Sequence, residues 1–424
     1  MTDLLAGYGE SILTPPTGVE LCGYGFYRRR RAEKTRDDLK ARAVCVSNGG
    51  TTLILIACDL IGFDVETSDA IRKAIAGEHH LPAANVLLAC THTHSGPATE
   101  FLRGCGEISP EYVRQIPKLI TEAARRAALD RAPCAMRIGS EQAEPIGYNR
   151  RLRSFHPIDP TVAAIVFERK HSPIYLSAYS CHAVTLGANT ESSADWPGAA
   201  AKAMEQDGYR CVCFQGFCGD IDPVCHLNKW GAGTAEDLTL YGLILKRHLL
   251  NIARHGQHET SPALAAVEKR MSLPLEVPAD RKAIEKEYEE MLARENNEAF
   301  KKFADEWRQA AGREFDRFHQ HPCRDNIPLQ AMRLGGMNLI ALPAEVFCEY
   351  GLKLRPQISS LLTIGYANGN TGYWPVKTAY ANPDYAAHVA PKIYDVFPFS
   401  SSLEDTILNA CGKILAEVQA GKPV

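Results

Sequence analysis

One segment decides how the first half of the chain is organised: Asn85-Val86-Leu87-Leu88-Ala89-Cys90-Thr91-His92-Thr93-His94-Ser95-Gly96-Pro97. Residues 85–91 form a short apolar run, which predicts a buried strand. The run passes directly into polar residues and stops at Gly96-Pro97, so the two histidines are expected at the carboxyl end of that strand. Because residues two apart in a strand point the same way, His92 and His94 are expected to face one cavity together.

Strand-like and helix-like stretches alternate on both sides of this segment. Residues 41–47 and 51–58 flank Asn48-Gly49-Gly50, a combination typical of a β-hairpin. Further strands are predicted at 161–167, 174–180, 210–215 and 331–342, and helices near 109, from Pro197, at 235–253 and at 345–354. Residues from about 279 to 320 are charged and rich in Glu and Lys, which predicts a long helical insertion. The fold class is therefore expected to be α/β, with mixed β-sheets flanked by helices in a single body.

The bulk composition is that of an ordinary globular protein, since 45% of the 424 residues are hydrophobic and 23% are charged. A formal net charge of -3 argues against a nucleic-acid-binding protein, which usually carries a basic excess. We expect no signal peptide, and the longest apolar stretch is too short to span a bilayer. Without a secretion signal, the 14 cysteines are expected to be thiols, which favours the cytoplasm. The expected partner is a small molecule, with no nucleic acid and no membrane, and a homo-oligomer is left open.

Histidines at the ends of predicted strands indicate a metal site. Two neutral imidazoles on one face suit zinc, although His92 and His94 alone are equally consistent with two polar loop residues. His182 follows the strand predicted at 174–180, again at a strand end. A catalytic zinc set usually adds a carboxylate, and residue pattern alone cannot select one among 50 acidic residues.

Several short motifs carry a resemblance to a known family. In chain order they are Ile12-Leu13-Thr14-Pro15-Pro16, Gly23-Tyr24-Gly25, Cys58-Asp59-Leu60, the segment from Thr91 to Pro97, Asn149-Arg150, Cys181-His182, Gln215-Gly216-Phe217-Cys218-Gly219-Asp220, Leu342-Pro343-Ala344-Glu345, and the stretch from Tyr366-Ala367-Asn368 to Tyr385. Over nearly its whole length the chain thus resembles the catalytic domain of the neutral/alkaline, non-lysosomal ceramidase family. The resemblance implies one such catalytic domain over residues 1–424.

The resemblance also implies a set of site residues. It implies four zinc ligands: His92, His182, Glu345 and Tyr373. His94 would lie near the metal and move protons, since a histidine pKa is close to neutrality. Arg150 would line the site and stabilise a developing oxyanion, and Tyr385 matches a second site tyrosine. Asp59, at a predicted strand end, is a candidate to orient a ligand histidine.

Two departures from the family pattern bear on the substrate. The reactive serine of ceramidases lies in a stretch resembling Gly-Asp-x-Ser-Pro, whereas this chain reads Gly219-Asp220-Ile221-Asp222-Pro223. Asp222 cannot act as an alkoxide nucleophile, but a carboxylate can accept a proton or hold the substrate. The chain also ends about forty residues after Tyr385, without room for the family's C-terminal β-sandwich. We therefore expect a short form that acts on a small, polar, soluble substrate rather than on ceramide.

The predicted activity is that of a zinc-dependent hydrolase that uses metal-activated water on a carbonyl group. An amide bond is favoured by the resemblance, and a lactone or a carbon–carbon bond in a cyclic keto-polyol are alternatives. A metal-containing binding protein without catalysis is a further alternative, because Asp222 replaces the serine. Cysteines at 211, 213, 218 and 225 leave room for an iron–sulfur or structural zinc site, although their spacing matches no paired C-x-x-C pattern. Arg28-Arg29-Arg30-Arg31 is read as a solvated loop or as a lip for an acidic substrate.

Overall fold

A computed structural model of the chain describes residues 4–260, 262–295, 297–358, 360–381 and 384–421. The strands are β1 Leu5–Ile12, β2 Lys34–Thr35, β3 Lys40–Ser47, β4 Thr52–Cys58, β5 Val86–Cys90, β6 Ala132–Gln142, β7 Gly147–Asn149, β8 Thr161–Arg169, β9 Ile174–Tyr179, β10 Glu191–Ser192, β11 Arg210–Gln215, β12 Ile221–Pro223, β13 Gln257–Glu259, β14 Leu264–Pro274, β15 Cys323–Leu334, β16 Met337–Ala341, β17 Glu345–Val346, β18 Leu361–Ile364 and β19 Tyr373–Trp374. The helices are α1 Val65–Glu78, α2 Pro110–Val113, α3 Ile116–Leu129, α4 Asp195–Glu205, α5 Ala235–His255, α6 Arg281–Arg294, α7 Glu298–Phe318, α8 Cys348–Leu354, α9 Ala390–Ile393 and α10 Leu403–Gln419.

Two mixed sheets form the centre of the molecule. The larger sheet has the strand order β11-β9-β8-β6-β1-β3-β4-β5, with β13 added beside β6. The smaller sheet has the order β14-β15-β16-β18. Most neighbours are antiparallel, but β9 with β11, β4 with β5, and β16 with β18 run parallel. The predicted hairpin at Asn48-Gly49-Gly50 is confirmed, since it joins the antiparallel strands β3 and β4.

Side-chain alternation along the strands shows that the sheets are stacked and that helices cover both outer faces. In β3, Ala43 belongs to the apolar cluster that contains residues of α1, α3, α4 and α5, whereas its neighbour Val44 belongs to the cluster that the two sheets share. In the smaller sheet, Leu339 faces the larger sheet, and Ile340 packs toward α6, α7, α8 and α10. The order of layers is therefore helices, sheet, sheet, helices. This arrangement confirms the predicted α/β class of mixed sheets flanked by helices.

The three parallel strand pairs bring their carboxyl ends to one edge of this stack. The chain leaves β5 toward His92, β9 toward His182 and β11 toward Asp220, all from the larger sheet. From the smaller sheet, β16 leads to Glu345 and β18 leads to Tyr366. Carboxyl ends of parallel strands are where ligands bind in open α/β sheets.

A single segment after β18 joins the two sheets at this edge. The amide N–H of Gly365 donates to the carbonyl of Gln215 (3.0 Å), and that of Cys90 donates to the carbonyl of Tyr366 (3.1 Å). The buried Asn368 side chain accepts from the N–H of Leu88 (3.1 Å) and donates to Gln330 (2.8 Å). Residues from both sheets are thereby fixed relative to one another.

Several local predictions need correction. The helical insertion is two helices, α6 and α7, that lie between the paired strands β14 and β15, and Asn297 caps the second one through Phe300 N–H. The strand predicted at 331–342 is two strands, because Gly335 has a positive φ of 60° and turns the chain. The helix predicted at 345–354 begins only at Cys348, and Glu345 lies instead on the short strand β17. No helix in the described part of the chain combines the length and apolar composition that crossing a bilayer requires.

We predict that Asn368→Ala lowers the free energy of unfolding by about 2–4 kcal/mol, because two buried polar partners lose their hydrogen bonds. Asn326→Ala is a matched control, since Asn326 has nearly the same backbone (φ 63° against 60°) but is exposed. Urea unfolding of both variants separates the hydrogen bonds from the backbone cost. Equal destabilisation of the two variants would show that the bonds between the sheets contribute nothing.

Candidate metal centre

His92 and His94 lie close together, but for a different reason than the strand alternation predicted from the sequence. Strand β5 already ends at Cys90, and His92 has a positive φ of 57°, so His92 and His94 are not strand neighbours. Their rings nevertheless lie 4.8 Å apart, centroid to centroid, and the His182 ring lies 5.4 Å from that of His92. The two side chains therefore do line one cavity, whereas the strand periodicity from which we predicted this is wrong.

Backbone carbonyls fix the orientation of two of these rings. Nδ1 of His92 lies 2.6 Å from the carbonyl oxygen of Ile61, and Nδ1 of His182 lies 2.7 Å from that of Cys218. A carbonyl oxygen only accepts hydrogen bonds, so each Nδ1 carries the hydrogen. In the neutral rings, both Nε2 atoms then present a lone pair to the interior of the site.

The Glu345 carboxylate lies opposite these two Nε2 atoms. Its Oε2 lies 3.0 Å from Nε2 of His182 and 3.5 Å from Nε2 of His92. Its Oε1 accepts a hydrogen bond from the Tyr394 hydroxyl (2.5 Å). The short strand β17 holds this carboxylate in place because Glu345 pairs in parallel with Tyr373 on β19.

Acceptor atoms that face one another in a buried space are stabilised by a proton or a metal cation between them. The Glu345 carboxylate and two imidazole lone pairs would repel without one, and burial makes an uncompensated charge costly. The nearby His94 has both ring nitrogens buried and without a hydrogen-bond partner. One nitrogen from each of His92, His94 and His182 lies within 4.8 Å of the others. Imidazole and carboxylate are the ligand types that zinc and related divalent metals take, so the donor set fits such an ion.

The charge states of these groups point to the same conclusion. Burial lowers the pKa of His92 to about 4, so its ring stays neutral near pH 7. Burial lowers the pKa of His94 as well, and the neighbouring rings of His92 and His182 lower it further. Although burial opposes protonation of His182, its pKa is raised to about 10, because Cys218 and Glu345 favour a proton there. A proton on His182 thus supplies the positive charge that the carboxylate requires when no metal does.

The other residues named from the sequence lie around this point. Tyr373 lines the same pocket as Glu345, and its hydroxyl accepts from Arg150 Nη2 (2.7 Å). Nη1 of Arg150 is 3.1 Å from Oδ1 of Asp222, and the pair is largely buried. The ring of Tyr385 stands edge-on to that of Tyr373, with centroids 5.8 Å apart, and is half exposed. The structure therefore brings together eight of the nine site candidates named from the sequence: His92, His94, Arg150, His182, Asp222, Glu345, Tyr373 and Tyr385.

Sequence reasoning missed two tyrosines. The Tyr366 ring stacks on His92 with centroids 4.1 Å apart, and its hydroxyl lies 3.3 Å from Oε2 of Glu345. Tyr394 holds the other carboxylate oxygen, and Asn370 donates to the Tyr394 hydroxyl (3.2 Å) and to Glu100 (2.7 Å). The position of Tyr366 just after a buried apolar run was a usable signal, whereas nothing local marks Tyr394.

Two other sequence interpretations change. Asp59 does not orient a histidine, because its Oδ2 accepts from Arg42 (2.5 Å) and from the N–H of Lys40 (2.9 Å). Within the arginine run, Arg30 is buried and donates to the carbonyls of His94 (2.8 Å) and Asn189 (2.9 Å), so it is neither solvated nor a lip.

The cysteines do not form a cluster site. Cys211 and Cys213 lie side by side, whereas Cys218 contacts Tyr366 and Cys225 contacts Tyr241. In the described part of the chain, the group of His, Cys, Asp and Glu side chains found close enough to hold a metal consists of histidines alone.

A pocket of about 170 Å³ opens onto these groups. Its polar lining includes His92, His94, Glu345 and three tyrosines. The apolar lining consists of Phe26, Leu102 and Ile393 together with Cys105. A ligand in this pocket therefore meets the candidate metal centre and an apolar surface at once.

We predict that Tyr394→Phe weakens zinc binding about tenfold or more, because groups that hold a ligating carboxylate typically contribute that much to metal affinity. Tyr350→Phe is the control, since it removes another buried hydroxyl, bonded to the Pro375 carbonyl, without touching Glu345. Competition with a chromophoric chelator gives both affinities. Equal affinity of the two variants would contradict this role of Tyr394.

We also predict a pH dependence that comes from Glu100. Burial raises the pKa of its carboxyl to about 8 from an ordinary 4.5, so the unfolded chain loses this proton at lower pH than the folded one. The folded state is therefore favoured fully below pH 4.5, and this contribution is lost as the pH rises to about 8. Glu100→Gln keeps the neutral form and should gain on the order of 3 kcal/mol relative to the natural chain between pH 5 and 8. Urea unfolding at several pH values, with chelator present, measures this difference. If the free energies of unfolding of the two proteins change with pH in parallel, the prediction is wrong.

Comparison with known proteins bears on the fold. No family model and no curated protein matches the chain. Two solved structures do match over 100% of this chain and 76% of theirs, each with a TM-score of 0.74 and 17% identity. One is neutral ceramidase from Pseudomonas aeruginosa, and the other is ceramidase complexed with C2. The chain therefore has the fold of a neutral ceramidase-like catalytic body, as the sequence resemblance predicted.

Proposed function

We propose that the protein is a zinc-dependent hydrolase of a small, soluble, carbonyl-containing substrate, with an amide as the favoured bond. The observation that carries the proposal is the convergence of three metal-ligating atoms, since Glu345 Oε2 lies 3.5 Å from His92 Nε2 and 3.0 Å from His182 Nε2. Tyr373 completes the proposed ligand set, because it is the strand partner of Glu345 and lines the same pocket. Three or four such ligands with a position left for water or substrate are typical of catalytic zinc.

Pocket size supports a small substrate. The site pocket of about 170 Å³ compares with a cavity of about 150 Å³ that holds one benzene molecule in another protein. A single ring or a short acyl group fills such a space, whereas the two long chains of a ceramide would have to extend beyond it. The amide preference rests on the likeness to ceramidase structures and on the shared motifs.

Each proposed catalytic residue has a role that its contacts allow. A zinc ion bound here supplies a Lewis acid for the carbonyl and activates water near neutral pH. Arg150, whose Nη1 carries a second hydrogen beside the one given to Asp222, donates to the developing oxyanion. Either Asp222 or His94 accepts the proton of the water and returns it to the leaving group, and the half-exposed Tyr385 closes the substrate side.

The proposal includes a cytoplasmic location for the protein. All 14 cysteines are free thiols, and most of them are buried. Free thiols are maintained in reducing compartments, which supports a cytoplasmic enzyme acting on a soluble small molecule.

The test is metal analysis followed by a substrate panel. We expect about one zinc per chain and hydrolysis of at least one soluble amide, with loss of activity on chelation and recovery on adding zinc. Activity confined to lactones or cyclic keto-polyols would replace the amide by those bonds. A zinc-loaded protein that hydrolyses nothing in all three classes would support a binding protein instead.

Arg150→Ala is predicted to lower turnover by about a hundredfold or more, because one oxyanion donor is typically worth that much. The control is Arg153→Ala, since Arg153 is exposed and donates only to the carbonyl of Leu227. Steady-state kinetics on the best substrate of the panel, with zinc content measured for both variants, give the comparison. Turnover within twofold of the natural chain for Arg150→Ala would remove this residue from the mechanism.

A further inference from the structure

A second, larger cavity lies beside the site pocket. It is a groove of about 530 Å³ between the helical insertion and the segment that carries Tyr385. Its apolar lining is Met291, Phe300, Phe303 and Val389, and charged side chains of α6 surround it. An extended alkyl chain has room in this groove that the site pocket of about 170 Å³ does not offer.

One short segment of chain borders both cavities. Tyr385 and Ile393 line the site pocket, whereas His388, Val389 and Lys392 line the groove. These residues belong to the consecutive helical turns Tyr385–Val389 and Ala390–Ile393. The two cavities are therefore neighbours on opposite sides of one helical segment.

Phe26 stands where the cavities approach each other. Its side chain lines the site pocket, and its ring centroid lies 4.1 Å from that of Phe303 and 6.0 Å from that of Phe300. Both of those rings line the groove. The other large apolar residues of the pocket, Leu102 and Ile393, are buried in the core, whereas Phe26 is only partly buried.

The loop that carries Phe26 is tied to the insertion. The Tyr27 hydroxyl donates to Glu306 on α7 (2.6 Å), and Lys302 of the same helix lies 4.2 Å above the Tyr27 ring. Arg103, from the loop that also supplies Leu102, is 3.3 Å from the same Glu306 carboxylate. These contacts hold the Phe26 ring against Phe303 as a fixed partition.

We propose that Phe26 is a specificity-determining residue that closes the site pocket against the groove and limits the substrate to a short acyl chain. This inference rests on the proposed function, because it assigns the acyl part of the substrate to the apolar lining of the same pocket. Replacing the ring by a methyl group joins the two spaces and lets a longer chain pass beside Phe303. Each methylene then buried is worth about a fourfold gain in affinity.

The experiment is calorimetric titration of zinc-loaded protein with acetohydroxamate, butanohydroxamate and octanohydroxamate. In the natural chain, octanohydroxamate should bind at least tenfold more weakly than butanohydroxamate. In Phe26→Ala, octanohydroxamate should bind at least tenfold more tightly than in the natural chain, and the ratio of its affinity to that of acetohydroxamate should rise by at least tenfold. Phe26→Leu provides a conservative second variant and should show a smaller gain in the same direction.

Phe300→Ala is the matched control, because it removes a ring that borders the groove but not the site pocket. It should give no gain for octanohydroxamate. Suppose that acetohydroxamate binds and that the three hydroxamates have the same order of affinity in the natural chain and in both Phe26 variants. The proposed role of Phe26 is then wrong, while the proposed function stands. If acetohydroxamate fails to bind zinc-loaded natural protein, the proposed metal chemistry and this inference fall together.

Discussion

The hydrogen bonds that the segment from Gly365 to Asn368 makes to the larger sheet are the constraint on which the candidate site depends. Two histidines reach the site from the larger sheet and Glu345 reaches it from the smaller one, so the site exists only when the sheets dock in one register. Gly365, Tyr366 and Asn368 fix that register through bonds to Gln215, Cys90 and Leu88. The same segment places the Tyr366 ring on His92. Folding of the two-sheet core and assembly of the site are thus one event.

The buried polar groups of this site are energetically unfavourable on their own, and contacts with the surrounding structure hold them in place. A buried carboxylate and two buried imidazole lone pairs are unfavourable together unless a positive charge lies between them. Carbonyls of Ile61 and Cys218 prevent the rings from turning away, and Tyr394 holds the far oxygen of Glu345. Such groups are preorganised for a cation before it arrives, which is what strong and selective metal binding requires.

Sequence reasoning recovered the parts of this arrangement that leave a local signal. Apolar runs that end in polar residues located the strand ends, and the family motifs supplied residues that lie together in space. Local pattern could not find Glu345 or its two-residue strand, because β17 exists only through its pairing with β19, 28 positions along the chain. Strand alternation was also the wrong explanation for the closeness of His92 and His94, because His92 has a positive φ that is set by tertiary contacts. Tyr394 was invisible for the same reason, because its role depends on where Glu345 lies.

Asp222 contributes to the electrostatics of the candidate site through its pair with Arg150. Its carboxylate is nearly buried against that guanidinium, and a buried pair of this kind is stable only while both members remain. The pair is neutral as a unit, so Glu345 is the remaining negative charge beside the three imidazoles, and a proton on His182 offsets it when no metal does. A bound divalent cation would outweigh that single negative charge and, together with Arg150, would favour the oxyanion that forms when a carbonyl reacts. The proposed chemistry therefore suits a carbonyl compound such as an amide, and the proposed role of Phe26 concerns the acyl part of the same molecule.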